Sequence, residues 1–184
     1  LFMNKIIIFA LLFFSSCVGV DQRNDLAFKI ADKAMFKPFI FYNDNYEIMS
    51  FQKRSIGNAQ FISIYIEGDG FSWIDRKTIS NNPTPISPLA LQLAVLDQNR
   101  DVIYLARPCQ YVEDPECGSK VWTSHQFSKE VLQSYMDVLD KIKKQAPNAK
   151  FDLVGYSGGA TIALLLGANR SDIRSIRTIA GNLN

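Results

Sequence analysis

Apolar residues along this chain fall into short blocks, and their spacing changes partway. "PFIFYNDNYEIMSFQK" sets two apolar and aromatic stretches around Asn43, Asp44 and Asn45. Those three residue types tolerate positive φ and favour turns, so the block predicts a β-hairpin. "FISIYIEG", residues 61–68, is rich in β-branched and aromatic residues and closes on glycine, the pattern of a strand. Beyond it, helical and strand-like blocks alternate. "SPLALQLAVLD" predicts a helix with Ser87 as N-cap and Pro88 at the first helical position. "DVIYLA", 101–106, is almost wholly apolar, as a strand covered on both faces must be. "SKEVLQSYMDVLDKIKKQ" gathers Val131, Leu132, Tyr135, Met136, Leu139 and Ile142 on one helical face, with Ser128 to cap it and Pro147 beyond its end. "FDLVG" predicts another buried strand, and "GATIALLLGA" a helix apolar on every side and therefore buried throughout. "IRSIRTIAG", 173–181, predicts a last strand. A hairpin, a strand and then repeated helix–strand units describe an α/β sheet with right-handed crossovers.

Length and composition narrow this further. A chain of 184 residues with 47% hydrophobic and 21% charged residues suits one folded domain with a sizeable core. The formal net charge of +2 gives no argument for a nucleic-acid partner. The densest basic cluster, Lys141, Lys143 and Lys144, falls where a helix should end, and cations there complement the helix dipole.

The first residues do not belong to that domain. "MNKIIIFALLFFSSC" carries Lys5, then an unbroken apolar run from Ile6 to Phe14, then Ser15, Ser16 and Cys17. The run is shorter than the ~20 residues that span a bilayer but fits the hydrophobic region of an export signal. The segment resembles a bacterial lipobox, which implies lipidation at Cys17 and a membrane anchor through it. An ordinary cleaved signal and an uncleaved anchor remain open. The expected division is a signal peptide over 1–16, a mobile tether with a short helix over 17–37, and one domain over 38–184. Export places the protein in the bacterial cell envelope, lipid-anchored or periplasmic. It also favours a disulfide between the remaining pair, Cys109 and Cys117, which lie close together in a turn-rich loop. Metal binding would need more ligands than these cysteines and the single histidine, His125, supply.

The candidate chemistry sits in "FDLVGYSGGATIALLL", residues 151–166. A strand must pass into a helix at Tyr156–Ser157 with almost no loop. Such a bend strains the serine backbone and crowds positions two residues to either side, where Gly155 and Gly159 carry no side chain. It lifts the Ser157 hydroxyl clear of the sheet and aims the Gly158 N–H outward from a helix N-terminus. The bare Gly-x-Ser-x-Gly pattern is weak, arising by chance in about one chain of this length in twenty. Its place between a buried strand and a helix, after earlier βα units, is what gives it weight. A phosphate-binding glycine turn would need the lysine and spacing of a P-loop, which are not there. "YIEGDGFSW", 65–73, follows the third strand, and Gly68 and Gly70 let its backbone approach a substrate. Its Asp69 N–H, or a neighbour's, could join Gly158 in holding an oxyanion; the Glu67 and Asp69 side chains could brace the loop.

These blocks, with "NNPTPISPLALQLA", "YLARPCQYV" and "VWTSHQFS", resemble the α/β-hydrolase family, in particular exported bacterial hydrolases, over about Phe61 to Gly181. The resemblance implies an ester, thioester or peptide hydrolase with a Ser–acid–His triad and no metal or organic cofactor. Ser157 would be the nucleophile, with Gly158 and Asp69 as backbone oxyanion donors, acting on a small-molecule or acyl substrate.

In that family the acid and the histidine follow the nucleophile. Here Asp172 is the only acid after Ser157, placed as a surface or capping residue, and no histidine follows. His125 precedes the serine; it could act as the base, but its block reads as loop scaffold. The expectation is a partial α/β-hydrolase fold, lacking the last strands and inactive alone. It would be a truncated product, or a split protein completed by a second chain at an apolar sheet edge. The alternative is a non-catalytic exported lipoprotein remnant or subunit.

Overall fold

The computed structural model describes residues 19–53, 56–99 and 101–181. The expected signal peptide over 1–16 and Cys17 lie outside them. The described chain forms helix α1 (Val20–Lys33), strands β1 (Lys37–Phe41), β2 (Ile48–Gln52) and β3 (Phe61–Ile66), and helix α2 (Leu89–Leu96). Strand β4 (Val102–Leu105), α3 (Lys129–Gln145), β5 (Lys150–Tyr156), α4 (Gly158–Asn169) and β6 (Ile173–Ile179) follow. Six strands make one sheet in the order β1-β2-β4-β3-β5-β6. The expected hairpin pairs β1 with β2 antiparallel, and β2 meets β4 antiparallel. β4, β3, β5 and β6 run parallel, joined through the helices.

Alternation along the inner strands divides the core in two. Ile62, Ile64 and Ile66 of β3, Ile103 and Leu105 of β4, and Phe151 and Leu153 of β5 face one side. There they pack on Val131, Tyr135, Val138, Leu139 and Ile142 of α3 and on Ile162, Ala163 and Leu166 of α4. Tyr65, Val102, Tyr104 and Val154 point the other way, onto Ala27 and Ala31 of α1 and Ala90, Leu91 and Ala94 of α2. The result is a three-layer α/β/α sandwich, and it explains why β3, β4 and β5 read as nearly continuous apolar runs.

Most predicted elements stand within two residues of their sequence limits, and Ser128 caps α3 by accepting the Val131 N–H at 3.3 Å. Three details differ. Pro88 rather than Ser87 occupies the α2 N-cap, and the Ser87 hydroxyl instead accepts from the Gln92 side chain. Helix α4 is not buried on every side, because it lies against β3, β5, β6 and α3 and leaves Leu164 40% exposed. Residues 20–33, expected within a tether, form a full helix docked on the sheet. Its small residues Ala27 and Ala31 let it approach closely, and Arg23, only 4% exposed, ties it to the loop before α2. The Arg23 Nη1 donates to the carbonyls of Thr84 at 2.5 Å and Asn82 at 3.3 Å, and the guanidinium stacks on Phe71.

The edge strand β6 carries exposed Arg174, Arg177 and Thr178 between half-buried isoleucines. Arg174 pairs with buried Asp152 on β5, which also accepts from the Ser175 hydroxyl. That arrangement holds Asp152 below the usual carboxylate range. The expected disulfide between Cys109 and Cys117 is formed, with Cα atoms 5.6 Å apart.

Arg23→Met should lower stability by about 1–3 kcal/mol, because it strips the buried Thr84 carbonyl and the part-buried Asn82 carbonyl of their donor. Urea unfolding of the two proteins checks this; an unchanged midpoint would show that α1 is not an integral part of the domain.

Candidate active site

Ser157 stands at the carboxyl end of β5, at the head of α4, with φ 49° and ψ −119°. A non-glycine residue in that region is strained and survives only where its surroundings hold it. The surroundings here are main chain. A Cβ on Gly155 would lie 2.3 Å from the Gly159 carbonyl oxygen. A Cβ on Gly159 would lie 2.4 Å from the carbonyl oxygens of both Ile66 and Glu67. The two glycines flanking the serine are thus required by the bend and by its contact with the end of β3. Backbone pairing fixes the far side, where the Ser157 N–H donates to the Ile179 carbonyl of β6 at 2.9 Å. The elbow geometry expected from the sequence is present.

The segment leaving β3 closes over this elbow. A Cβ on Gly68 would sit 2.9 Å from the Tyr156 ring and 3.1 Å from the Ser157 Cβ, so the loop lies directly on the nucleophile candidate. Gly70 has φ 66°, and a Cβ there would strike the Pro83 carbonyl at 2.0 Å. The Ser72 hydroxyl donates to the Asp69 carbonyl at 2.5 Å and the Phe71 N–H to the Pro83 carbonyl at 2.9 Å. Gly158 opens α4, so its N–H has no carbonyl partner within the helix. Asp69 and Ser157 line one cavity of about 420 Å³ with Phe71, Trp73, Ile86 and Tyr156. A neighbouring hollow of about 710 Å³ shares Asp69, Ser72 and Trp73 with it and extends past Lys120 and Trp122.

Two side chains beneath the loop were not assigned such definite roles by sequence. Glu67 is 1% exposed. Its Oε1 accepts the Gly68 N–H at 2.9 Å and the Ala90 N–H at 3.3 Å, and its Oε2 accepts from the Tyr104 hydroxyl at 3.3 Å. It therefore ties the loop to the start of α2, the bracing role considered for it. Burial lifts its carboxyl to about 7 against those hydrogen bonds, which act to lower it. Arg107, at the end of β4, was not singled out at all. It is 5% exposed and forms a 3.0 Å ion pair with Asp69. The cue was a single arginine following a strand of four apolar residues, where a charge must find a partner.

The remaining candidates fall elsewhere. His125 is exposed, contacts the Ser124 hydroxyl at 2.8 Å, and lines neither cavity. Asp172 sits before β6 at the opposite end of the sheet, paired with Arg170 through both carboxylate oxygens. Among the described residues no group of three or more metal-ligating side chains comes together, and no helix is long and apolar enough to cross a membrane.

No family model and no curated protein matches the chain. Solved structures do. A candidate α/β hydrolase of unknown function from Agrobacterium tumefaciens superposes with a TM-score of 0.53 at 19% identity, over 79% of this chain and 60% of the other. An α/β serine hydrolase homologue from Coxiella burnetii gives 0.50 at 13% identity, over 77% of this chain and 61% of the other. A candidate lipase from Acinetobacter baumannii gives 0.52 at 13% identity, over 87% of this chain and 46% of the other. At these identities the likeness establishes the fold: the chain has the partial α/β-hydrolase fold, with its antiparallel start and parallel remainder. It spans about 60% of the first two structures and under half of the third.

The pH dependence of stability tests the Glu67 environment. Between pH 4.5 and about 7 the folded protein keeps a proton that the unfolded chain has lost. Stability must then fall as pH rises through that window, by up to about 3 kcal/mol from this group. Glu67→Gln stays neutral and keeps an acceptor for Gly68. Urea midpoints at pH 5 and pH 8 should therefore show a smaller decline for the variant than for the wild type; equal declines would refute the assignment.

Proposed function

We propose that this chain carries the nucleophile half of a serine hydrolase acting on an ester, thioester or peptide bond. The observation that carries the reading is the strained Ser157 backbone at the head of α4, opening into a cavity beside a glycine-bearing loop. The fold shared with α/β hydrolases supports it. In this reading the Ser157 hydroxyl attacks a carbonyl carbon, forming the Oγ–C bond. The carbonyl π pair moves to oxygen, and the N–H groups of Gly158 and Asp69 hold the resulting oxyanion. Such donors contribute about 3–4 kcal/mol each to the transition state. Collapse expels the alcohol, thiol or amine and leaves an acyl-serine for water to hydrolyse.

The serine proton needs an acceptor. Among the described residues the only titratable side chains lining the Ser157 cavity are Glu67, Asp69 and Tyr156. Glu67 faces Gly68, Ala90 and Tyr104, and Asp69 is paired with Arg107. Neither is placed as a triad member. The triad acid and histidine are proposed to come from outside the described residues, whether from the same polypeptide or from a chain joined at the β6 edge. The described half alone should then be slow. Oxyanion stabilisation and binding without the full triad still retain about 10³–10⁴-fold over water.

A fluorophosphonate probe should label the wild-type chain slowly and saturably at Ser157, and Ser157→Ala not at all, as read by intact mass and peptide mapping. Absence of labelling even at millimolar probe, in protein shown to be folded, would overturn the reading.

We further propose export to the bacterial envelope with a lipid anchor at Cys17. The Cys109–Cys117 disulfide supports an oxidising compartment. Expressed with its leader in a Gram-negative host, the chain should appear in the membrane fraction with an acyl mass increment. Cys17→Ser should abolish that increment; an unmodified Cys17 in the wild type would remove the anchor.

A further inference from the structure

We propose that Arg107 is a positioning residue for the oxyanion site, and that its charge makes the Asp69 carboxylate tolerable beside the place where negative charge develops. This rests on the serine-hydrolase reading of Ser157. The argument begins with a contact between Gly158 and the ion pair. A Cβ on Gly158 would lie 1.9 Å from Asp69 Oδ1 and 2.6 Å from Arg107 Nη1. Both members of the pair therefore pack against the main chain whose N–H is the first oxyanion donor. The second donor, the Asp69 N–H, belongs to the same residue as the carboxylate.

An uncompensated carboxylate there would act against catalysis, because it repels the oxyanion as it forms and solvent screens it only in part, the Asp69 side chain being 32% exposed. The guanidinium cancels that field, and its own position is tightly determined. Nη1 meets Asp69 Oδ1 at 3.0 Å, Nη2 donates to the Gln126 carbonyl at 2.5 Å, and the guanidinium carbon lies 5.3 Å from the Phe127 ring centre. The main chain at 107 is held as well. The Arg107 N–H donates to Gln110 Oε1 at 3.0 Å, while Gln110 Nε2 donates to the Gly68 carbonyl at 3.0 Å. Just before it, the Ala106 carbonyl accepts from the buried Tyr135 hydroxyl at 2.7 Å. One short segment after β4 thus grips the oxyanion loop twice, through Asp69 and through Gly68. The Cys109–Cys117 disulfide fixes that segment from within.

If the role is electrostatic positioning, losing Arg107 should harm the chemical step rather than probe binding, and neutralising Asp69 should restore it. Fluorophosphonate labelling of Ser157 would be resolved into a rate constant and an apparent affinity for wild type, Arg107→Met, Arg107→Lys, Asp69→Asn and the double variant Arg107→Met/Asp69→Asn. Arg107→Met should lower the rate constant by about tenfold to a hundredfold, less than for a fully buried pair because the Asp69 carboxylate left behind is partly exposed, with affinity changed less than about twofold. Arg107→Lys should recover part of the loss. The double variant, neutral at both positions and so free of the stranded charge, should label at least about tenfold faster than Arg107→Met. A double variant as slow as Arg107→Met, or a loss residing in affinity, would overturn the proposal.

Hydrogen exchange separates this outcome from failure of the hydrolase reading itself, because it needs no chemistry. In Arg107→Met the amides of 67–73 should exchange faster, while those of β5 and α4 keep their wild-type protection. If the wild type is unlabelled, the hydrolase reading fails. Unchanged exchange over 67–73 in Arg107→Met would then also remove Arg107 as the group that positions the loop.

Discussion

The structure depends on a close main-chain contact between the end of β3 and the start of α4. The carbonyls of Ile66 and Glu67 occupy the space that a side chain on residue 159 would need. Only glycine at that position permits the approach, which accompanies the direct passage of β5 into α4. The strain at Ser157, with φ 49°, is the consequence, borne by the surrounding sheet and helix rather than by local preference. Gly155 and Gly68 relieve crowding beside this contact: a Cβ on Gly155 would lie 2.3 Å from the Gly159 carbonyl oxygen, and one on Gly68 2.9 Å from the Tyr156 ring. A serine raised in this way, next to free helix N–H groups, is a position that ordinary packing does not require.

The layers follow from strand patterning, and they decide which end of the sheet can hold a site. Because β3, β4 and β5 are buried on both faces, their side chains are committed to the two cores. Function can arise only where the strands end. At the carboxyl ends three loops meet: the one after β3, the one after β4, and the elbow after β5. Their connections are dense. Glu67 ties the first loop to α2, Arg107 and Gln110 join the second to the first, and α1 reaches the supporting segment 82–84 through Arg23. The helix expected to be a tether is therefore part of the scaffold around the cleft. At the amino ends, by contrast, Asp172 and Arg170 form an ion pair distant from the elbow.

What the sequence disclosed and what it did not follow from range. Elements set by local periodicity, such as the α3 stripe, the β1–β2 hairpin and the buried strands, were legible because one segment carries the whole signal. The elbow was legible because Gly155, Ser157 and Gly159 are close in sequence and their spacing has one steric meaning. The disulfide was legible because two cysteines eight apart in a turn-rich loop have few other uses once the leader-like segment points to export. Docking of α1 was not legible, since its anchoring bonds join residues about sixty positions apart and its fully buried apolar residues are small alanines. Arg107 was missed for the same reason: its partner Asp69 lies 38 positions away. The outward side of α4 was misjudged because an all-apolar segment does not reveal how much of it the fold will cover.

Gly158 illustrates how a residue can be noticed for one reason and be needed for another. Its place at the helix N-terminus makes it the proposed oxyanion donor, a role any residue but proline could fill through its main chain. The structure adds a steric reason for glycine: a side chain there would displace the Asp69–Arg107 pair. The three glycines around Ser157 then have three separate causes. Gly155 accommodates the bend, Gly159 admits β3, and Gly158 admits an ion pair that brings a carboxylate close to the reacting position. An acid so placed would be a liability without its guanidinium. Its presence in the cleft is intelligible because the arginine that pairs with it also holds the main chain bearing the proposed second donor.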